Sequence, residues 1–359
     1  MQHVAIDLGG RESQVCIRAA DGTIVEEKRH ATRLLAKLME KWPPSRVILE
    51  TSAEAFRVAD AARTAGHEVR VVPATLVKSL GVGARGIKTD QRDARALSEA
   101  SCRIDLQSVH IPTEASRELK SSCGAREELV ECRTKLINNV RGWMRGQLWR
   151  LASGASKTFH ERVRGHAASH EVELPAHVTR SLETIEHLSE QIHAADVQLR
   201  KLAKSDPICQ ALMTVPGIGP VTAVRFRAAL DDVARFHSAH AVQSYLGLTP
   251  GECSSSERRR RTGITKAGPS APRRLLIQSA WAAWRHYPDE PMVKWAKQIA
   301  ERRSKFVAVV ALARKMVGIL FALWRDGTTY QSARSAAATP MSSTYSAAIV
   351  RATRSRAMQ

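Results

Sequence analysis

No pair of the six cysteines, Cys16, Cys102, Cys123, Cys132, Cys209 and Cys253, stands at C-x-x-C or zinc-ligand spacing. They therefore read as reduced thiols of a cytoplasmic protein. A long apolar run is missing as well. The most apolar stretch, Phe306 to Trp324, is interrupted by Arg314 and Lys315, and the N-terminus has no signal-peptide pattern, so a membrane protein is not expected. Acids are the third shortage: 35 Asp and Glu against 55 Lys and Arg leave a formal charge of +20. Such an excess favours polyanions through counterion release, which implies binding rather than sequence reading. With 359 residues and 43% hydrophobic content, the chain has room for two or three domains with sizeable cores.

Against that basic background, four acids in the first hundred positions stand out. Val4-Ala5-Ile6 reads as a buried strand ending at Asp7, and Val15 to Arg18 and Ile24 to Glu26 flank an Asp21-Gly22 hairpin turn. A helix is expected from about Ala31 to Lys41. Val47-Ile48-Leu49 then forms a strand ending at Glu50, the helix from Glu54 to Ala65 stops at Gly66, and Glu68 to Val72 gives a fifth strand. The order β-β-β-α-β-α-β-α is that of an RNase H-like domain. In such a sheet the first and fourth strands are neighbours, so Asp7 and Glu50 would face each other. Asp90 and Asp93, at i and i+3 of the following helix, would turn one face to them. That much negative charge suits two Mg²⁺ ions, with Mn²⁺ as a substitute, clamping a phosphodiester. Each acid alone also fits a cap or a solvated charge. Asp7-Leu8-Gly9-Gly10 additionally suits the phosphate loop of actin-like kinases, but the rest of the chain supplies no second domain with nucleotide loops.

From Glu114 to about Trp149, Leu129, Cys132, Leu136 and Val140 recur at helical spacing, with Arg126, Arg133, Lys135, Arg141 and Arg145 on other faces. A second helix from about Pro175 to Leu202 completes an antiparallel hairpin, with the break near Ser153-Gly154-Ala155-Ser156 and the stretch to Glu173 as its connection. Plain packing and a dimerising coiled coil both remain open. Val215-Pro216-Gly217-Ile218-Gly219-Pro220 reads as the turn of a helix-hairpin-helix, whose backbone N–H groups at Gly217 and Gly219 would grip a phosphate; a purely structural turn is the alternative. Further on, Cys253-Ser254-Ser255-Ser256 precedes Arg258 to Arg261, with Gly263-Ile264-Thr265-Lys266 and Arg273-Arg274 beyond. Serines beside consecutive arginines suit a phosphate-attacking hydroxyl, since cations lower its effective pKa and stabilise the charge that develops on phosphorus. A solvated loop accounts for the composition equally well.

These strings together resemble the DEDD transposases of the IS110 insertion-sequence family, including its IS1111 subgroup. The matching stretches are Ala5-Ile6-Asp7-Leu8-Gly9, Ile48-Leu49-Glu50-Thr51, Val71-Val72-Pro73, Lys88-Thr89-Asp90-Gln91-Arg92-Asp93-Ala94, Val215-Pro216-Gly217-Ile218-Gly219, Arg235-Phe236, Gly247-Leu248-Thr249-Pro250 and Gly263-Ile264-Thr265-Lys266-Ala267-Gly268. They span about Val4 to Trp324. The resemblance implies a RuvC-like α/β metal-binding domain at 1–112, an α-helical linker that mediates assembly at 113–206 and a mainly α-helical transposase domain with a nucleophilic serine at 207–330; beyond it, the Ser, Ala, Thr and Arg-rich composition of 331–359 predicts a disordered tail. It also implies a homodimer or homotetramer, nucleoid-associated in a bacterial cytoplasm, that recombines donor and target DNA through a covalent phosphoserine under the guidance of a structured bridge RNA. Asp7, Glu50, Asp90 and Asp93 carry over as catalytic metal ligands. The family shows Ser-Gly at the nucleophile, and Ser256 stands at the Gly position here, so Ser255 is the match and Ser254 the fallback. Arg258, Arg259, Arg260 and Lys266 would hold the strand or the guide. Pro269-Ser270-Ala271-Pro272 departs from the family pattern, and two prolines are expected to delay the helix that follows. The rival readings are a junction-resolving nuclease in which water attacks, and an inactive nucleic-acid-binding relic of an element.

Overall fold

The computed structural model describes residues 1–79, 89–252 and 261–331. The chain divides into two compact units, Met1–Thr113 and Glu114–Gln359. In the first, β1 (Gln2–Asp7), β2 (Glu12–Arg18) and β3 (Ile24–Ala31) are followed by α1 (Leu35–Met39), β4 (Ser45–Glu50), α2 (Ala55–Thr64), β5 (Glu68–Val72), α3 (Ala74–Ser79) and α4 (Asp90–Arg103). The five strands form one mixed sheet in the order β3-β2-β1-β4-β5. β1 pairs antiparallel with β2 and parallel with β4, and β4 pairs parallel with β5. The side-by-side placement of β1 and β4 is the one expected of an RNase H-like sheet.

The central strands are covered on both faces, and alternation sorts their side chains between two cores. Val4, Ile6, Val47 and Leu49 pack with Ala55, Val58, Ala59 and Ala62 of α2. Ala5, Ile48 and Val72 pack on the other face with Leu97 of α4 and Leu106. At the acidic end of the sheet the structure departs from expectation in one element. β3 continues to Ala31 where a helix was expected to begin, and only Leu35–Met39 is α-helical after it. The charged run Glu26-Glu27-Lys28-Arg29 belongs to an edge strand, where exposed charges blunt further pairing.

Polar contacts lash α4 across the three antiparallel strands. His3 Nδ1 lies 2.8 Å from Ser101 Oγ, Arg18 Nε donates to Ser98 Oγ at 2.9 Å, and Arg95 donates to both oxygens of Glu27 at 2.7 and 2.6 Å, with Gln91 Nε2 adding a bond of 2.6 Å. The Arg95 bonds hold the Glu27 carboxyl below its ordinary value of 4.5.

The second unit contains α5 (Glu114–Gly146), α6 (Phe159–Ser169), α7 (Ala176–Ser205), α8 (Pro207–Met213), α9 (Pro220–Leu230), α10 (Ala239–Tyr245), the hairpin strands β6 (Pro250–Glu252) and β7 (Arg261–Ile264), α11 (Ser270–His286), α12 (Pro291–Arg302) and α13 (Lys305–Asp326). α5 and α7 run antiparallel: Arg126 pairs with Asp196 at 2.8 Å and Arg133 donates to Ser189 at 3.2 Å, seven residues on in one helix and seven back in the other. The stretch expected as a mere connection contributes α6, whose Phe159 and Val163 are fully buried against Ile137, Val140, Val178 and Leu182. The far ends of the pair, through Cys123, Leu199 and Ala203, enter the larger core built around α9 and α13. α13 is long and apolar enough to cross a membrane by composition alone, but half of that stretch is buried in the protein, where Leu312, Met316 and Leu320 are wholly covered.

Two expectations at helix starts resolve physically. Pro269 caps α11 and Pro272 lies in its first turn, where no backbone N–H is needed, so the prolines do not delay the helix. Gly217, in the turn between α8 and α9, has φ +89°, and a Cβ there would lie 2.5 Å from the Ser279 carbonyl oxygen of α11. It is a packing residue. Gly219, the N-cap of α9, has open space around the equivalent position.

Two stability outcomes follow from these contacts. Gly217→Ala should destabilise the chain by roughly 1–3 kcal/mol, because it combines backbone strain with a clash against α11, whereas Gly219→Ala should melt close to wild type. Equal melting temperatures for the two variants would remove the packing assignment. Glu27→Gln should melt below wild type near neutral pH. Because the folded carboxyl titrates below its ordinary 4.5, its contribution is present above that value and is lost as the pH falls through the lowered one. Thermal melts should therefore show the gap closing in acid, and a gap independent of pH would count against the clasp.

Candidate active site

The end of the sheet where β1 and β4 finish is acidic for a reason of register. The last β1–β4 pairing is Ile6 with Leu49, so the next positions, Asp7 and Glu50, lie at adjacent strand ends. Asp7 shares the parity of Ala5, and Glu50 that of Ile48. Alternation thus assigns both to the face of the sheet that α4 covers. Both are partly buried. Glu50 is also in register with Val72 of β5, whose side chain belongs to the same core.

α4 begins beside them because Thr89 caps it: the hydroxyl accepts from the Arg92 amide at 3.3 Å, and Thr89 itself is extended, with φ −142° and ψ 143°. Asp90 and Asp93 occupy its first turn, where the helix dipole favours negative charge. The two differ sharply in environment. Asp93 is 2% exposed, next to the buried Ala94, whereas the Asp90 side chain is 65% exposed and lies 3.6 Å from Arg29 of β3. Of the two acids expected to turn to Asp7 and Glu50, Asp93 is buried and Asp90 faces solvent.

Among the described residues, no three His, Cys, Asp or Glu side chains gather closely enough to hold a metal ion. The four acids lie at neighbouring element ends without closing into a cluster. Their donor chemistry nevertheless fits a hard divalent cation, which takes carboxylate oxygens in preference to nitrogen or sulfur. The Asp90–Arg29 contact is an exposed ion pair of the kind worth about 0–1 kcal/mol. It is cheap to exchange for a cation. Sequence reasoning missed Arg29, Glu27 and Arg95, because pairs 61 to 68 positions apart leave no local periodicity to read.

In the second unit, the two glycine-bearing strings near the expected nucleophile pack on each other. Thr265 N donates to Thr249 O at 2.9 Å, and Lys266 N to Gly247 O at 3.1 Å. Gly247 has φ +67°, and a Cβ there would lie 2.1 Å from Ala267 O, so only glycine permits the approach. Arg273 bonds the carbonyls of Leu246 and Ala267 at 3.0 and 3.2 Å, and Arg274 pairs with Glu131 at 2.9 Å. These two arginines are committed to structure. Lys266 is exposed, with φ +54°. β6 and β7 lead into and out of residues 253–260, so Ser254, Ser255, Arg258, Arg259 and Arg260 lie outside the described residues.

Both units match known families. Residues 4–147 match the model of the IS110-type DEDD transposases, and residues 209–294 match the model described as the transposase IS116/IS110/IS902 family. The transposase for insertion sequence element IS1111A of Coxiella burnetii is 33% identical, over 68% of this chain and 68% of its own length. A probable family 20 transposase of Pseudomonas aeruginosa is 30% identical over 80% of this chain and 86% of its own. The transposase for insertion sequence element IS1328 of Yersinia enterocolitica is 27% identical over 91% and 98%. The acidic strand ends of the first unit and the paired glycine strings of the second thus fall within the two matched segments, and the chain belongs to the IS110 family of DEDD transposases.

Proposed function

We propose that this transposase cuts and rejoins DNA by covalent catalysis, with Asp7, Glu50, Asp90 and Asp93 holding divalent metal, Mg²⁺ or Mn²⁺, and Ser255 as the nucleophile. The observation that carries the metal half of this reading is the placement of Asp7 and Glu50 at adjacent strand ends on the face covered by α4, whose first turn carries Asp90 and Asp93. The nucleophile half rests on Ser254-Ser255 standing beside Arg258, Arg259 and Arg260. When bound, the metal supplies Lewis-acid stabilisation of charge on the phosphate oxygens.

The protein groups then have separable tasks. Ser255 Oγ attacks phosphorus and displaces one deoxyribose oxygen, which leaves as a hydroxyl and gives a phosphoserine ester. A hydroxyl from the strand to be joined later displaces the serine, so the number of phosphoester bonds is unchanged and no ATP is required. Arg258, Arg259, Arg260 and Lys266 hold the phosphate backbone. Gly219, at the N-terminus of α9, offers backbone amides to a further phosphate. Cations of this kind bind backbone without reading bases. We therefore assign the choice of target to pairing with a structured guide RNA, as in the family, and the assembly to a dimer or tetramer.

Replacing any one of Asp7, Glu50, Asp90 or Asp93 by Ala should abolish strand cleavage yet leave RNA binding within about twofold, since carboxylates add nothing favourable to a polyanion. Wild-type cleavage rates in two such variants would overturn the metal assignment. Ser255→Ala should remove both strand exchange and any protein–DNA adduct that survives denaturation, while the fold is retained. Labelled DNA incubated with protein and guide RNA, then denatured and resolved, reads this directly. An adduct lost in Ser254→Ala but kept in Ser255→Ala moves the nucleophile one residue back. No adduct in the wild type, with efficient Mg²⁺-dependent nicking, replaces the serine by water.

A further inference from the structure

An open groove of about 1070 Å³ lies along α12 and α13 and is closed on one side by the β6–β7 hairpin, through Pro250, Thr262, Gly263 and Ile264. Its wall is unusual for a protein surface. Phe306 is 74% exposed and Val307 51%, at the start of α13, and Trp295 on α12 is 36% exposed. Among the described residues the groove is lined by Arg303, Arg314 and Lys315 and by no carboxylate. Lys315 Nζ sits 4.3 Å from the centre of the Trp295 ring, and Trp281 braces Phe306 edge-on at 6.0 Å. Arg314 is oriented by Gln243, which accepts from its Nε at 2.9 Å.

Exposed aromatic rings interleaved with cations are what an unpaired nucleic-acid strand requires. The rings stack on bases of any sequence, and the cations track the phosphates. A duplex does not fit this description, because its bases are already stacked on each other. A second copy of the chain does not fit either: it would bring its own excess of positive charge, +20 overall, against Arg303, Arg314 and Lys315. We propose that this groove holds a short stretch of unpaired DNA by stacking its bases on Phe306 and Trp295. Of the two nucleic acids the choice is DNA, because the groove is walled by β6 and β7, the strands that lead into and out of residues 253–260, among which the proposed nucleophile stands in the sequence. This step rests on the covalent reading given above, and only the choice of DNA depends on it.

The test is fluorescence anisotropy of a labelled oligo(dT) of about 12 nucleotides, a length suited to one single-strand site, titrated with the full chain. Phe306→Ala should weaken binding about tenfold and leave duplex binding unchanged. Because the lost interaction is stacking, the slope of log affinity against log salt should stay at the wild-type value. Arg303→Ala should instead lower that slope by about 0.7, the signature of one phosphate contact on a single strand. Trp295→Tyr should retain most of the affinity that Trp295→Ala loses, and melting temperatures identify any variant that is unfolded. Phe306 is so exposed that its variant is expected to fold.

Oligo(dT) binding equal in wild type and Phe306→Ala overturns the proposal. So does parallel loss of duplex and single-strand binding, tighter binding of oligo(U) than of oligo(dT), or a change of oligomeric state in Phe306→Ala by light scattering, which would make the surface a protein interface. The protein–DNA adduct assay is independent of all these measurements. An adduct formed by a chain that ignores oligo(dT) keeps the covalent reading and discards the groove, and the reverse result discards the serine and keeps the groove.

Discussion

Five backbone pairings between β1 and β4, from Gln2 with Ser45 to Ile6 with Leu49, fix the acidic end of the first unit. Because side chains alternate along a strand, a slip of one residue in this ladder would send either Asp7 or Glu50 to the opposite face of the sheet. The slip is prevented by the cores. Val4, Ile6, Val47 and Leu49 fit the α2 side, and Ala5 and Ile48 fit the α4 side. Each full burial of such an aliphatic side chain is worth about 1.5–3 kcal/mol, so a misregistered ladder would forfeit several at once. Asp7 and Glu50 follow the ladder at its end, one position beyond its last pair. Apolar packing two residues further back holds them.

The third side of the acidic end is set differently. α4 meets the sheet through Leu97 and Ala100 on one core and through Arg95, Gln91, Ser98 and Ser101, which reach β1, β2 and β3. At its start, Asp90, exposed and paired with Arg29, stands in the same turn as the buried Asp93. In the second unit Arg225, Arg273 and Arg274 are tied to backbone carbonyls or to Glu127 and Glu131, and the Gly247–Ala267 approach holds together the two strings that flank β6 and β7.

Much of this was legible because it is local. The Asp21-Gly22 turn, the apolar runs around Ala5 and Ile48, and the stop at Gly66 give the succession of strands and helices directly, and the two acids at i and i+3 mark the first turn of α4. What failed has a common cause. The charged run Glu26 to His30 carries no strand pattern of its own, and only its edge position, a property of the assembled sheet, makes such a strand acceptable. α6 was read as a connection because Phe159, Val163 and Ala167 form a narrow stripe that acquires meaning only against α5 and α7. The four acids were visible one by one, yet the division between a buried Asp93 and an exposed Asp90 is decided by Arg29, 61 residues away.

Cations and acids in this chain solve different parts of one problem. The charge of +20 supplies affinity for any polyanion and discriminates among none. If catalysis depended on affinity alone, every duplex in a cell would compete for the serine. On the reading proposed here, discrimination is moved away from protein side chains: a guide strand selects by pairing, and a groove that stacks unpaired bases accepts DNA only after its helix has been opened. The aromatic residues of that groove, Trp295 and Phe306, would then act as a selection for substrate state where the arginines cannot, because stacking distinguishes an opened strand from a closed one and charge does not.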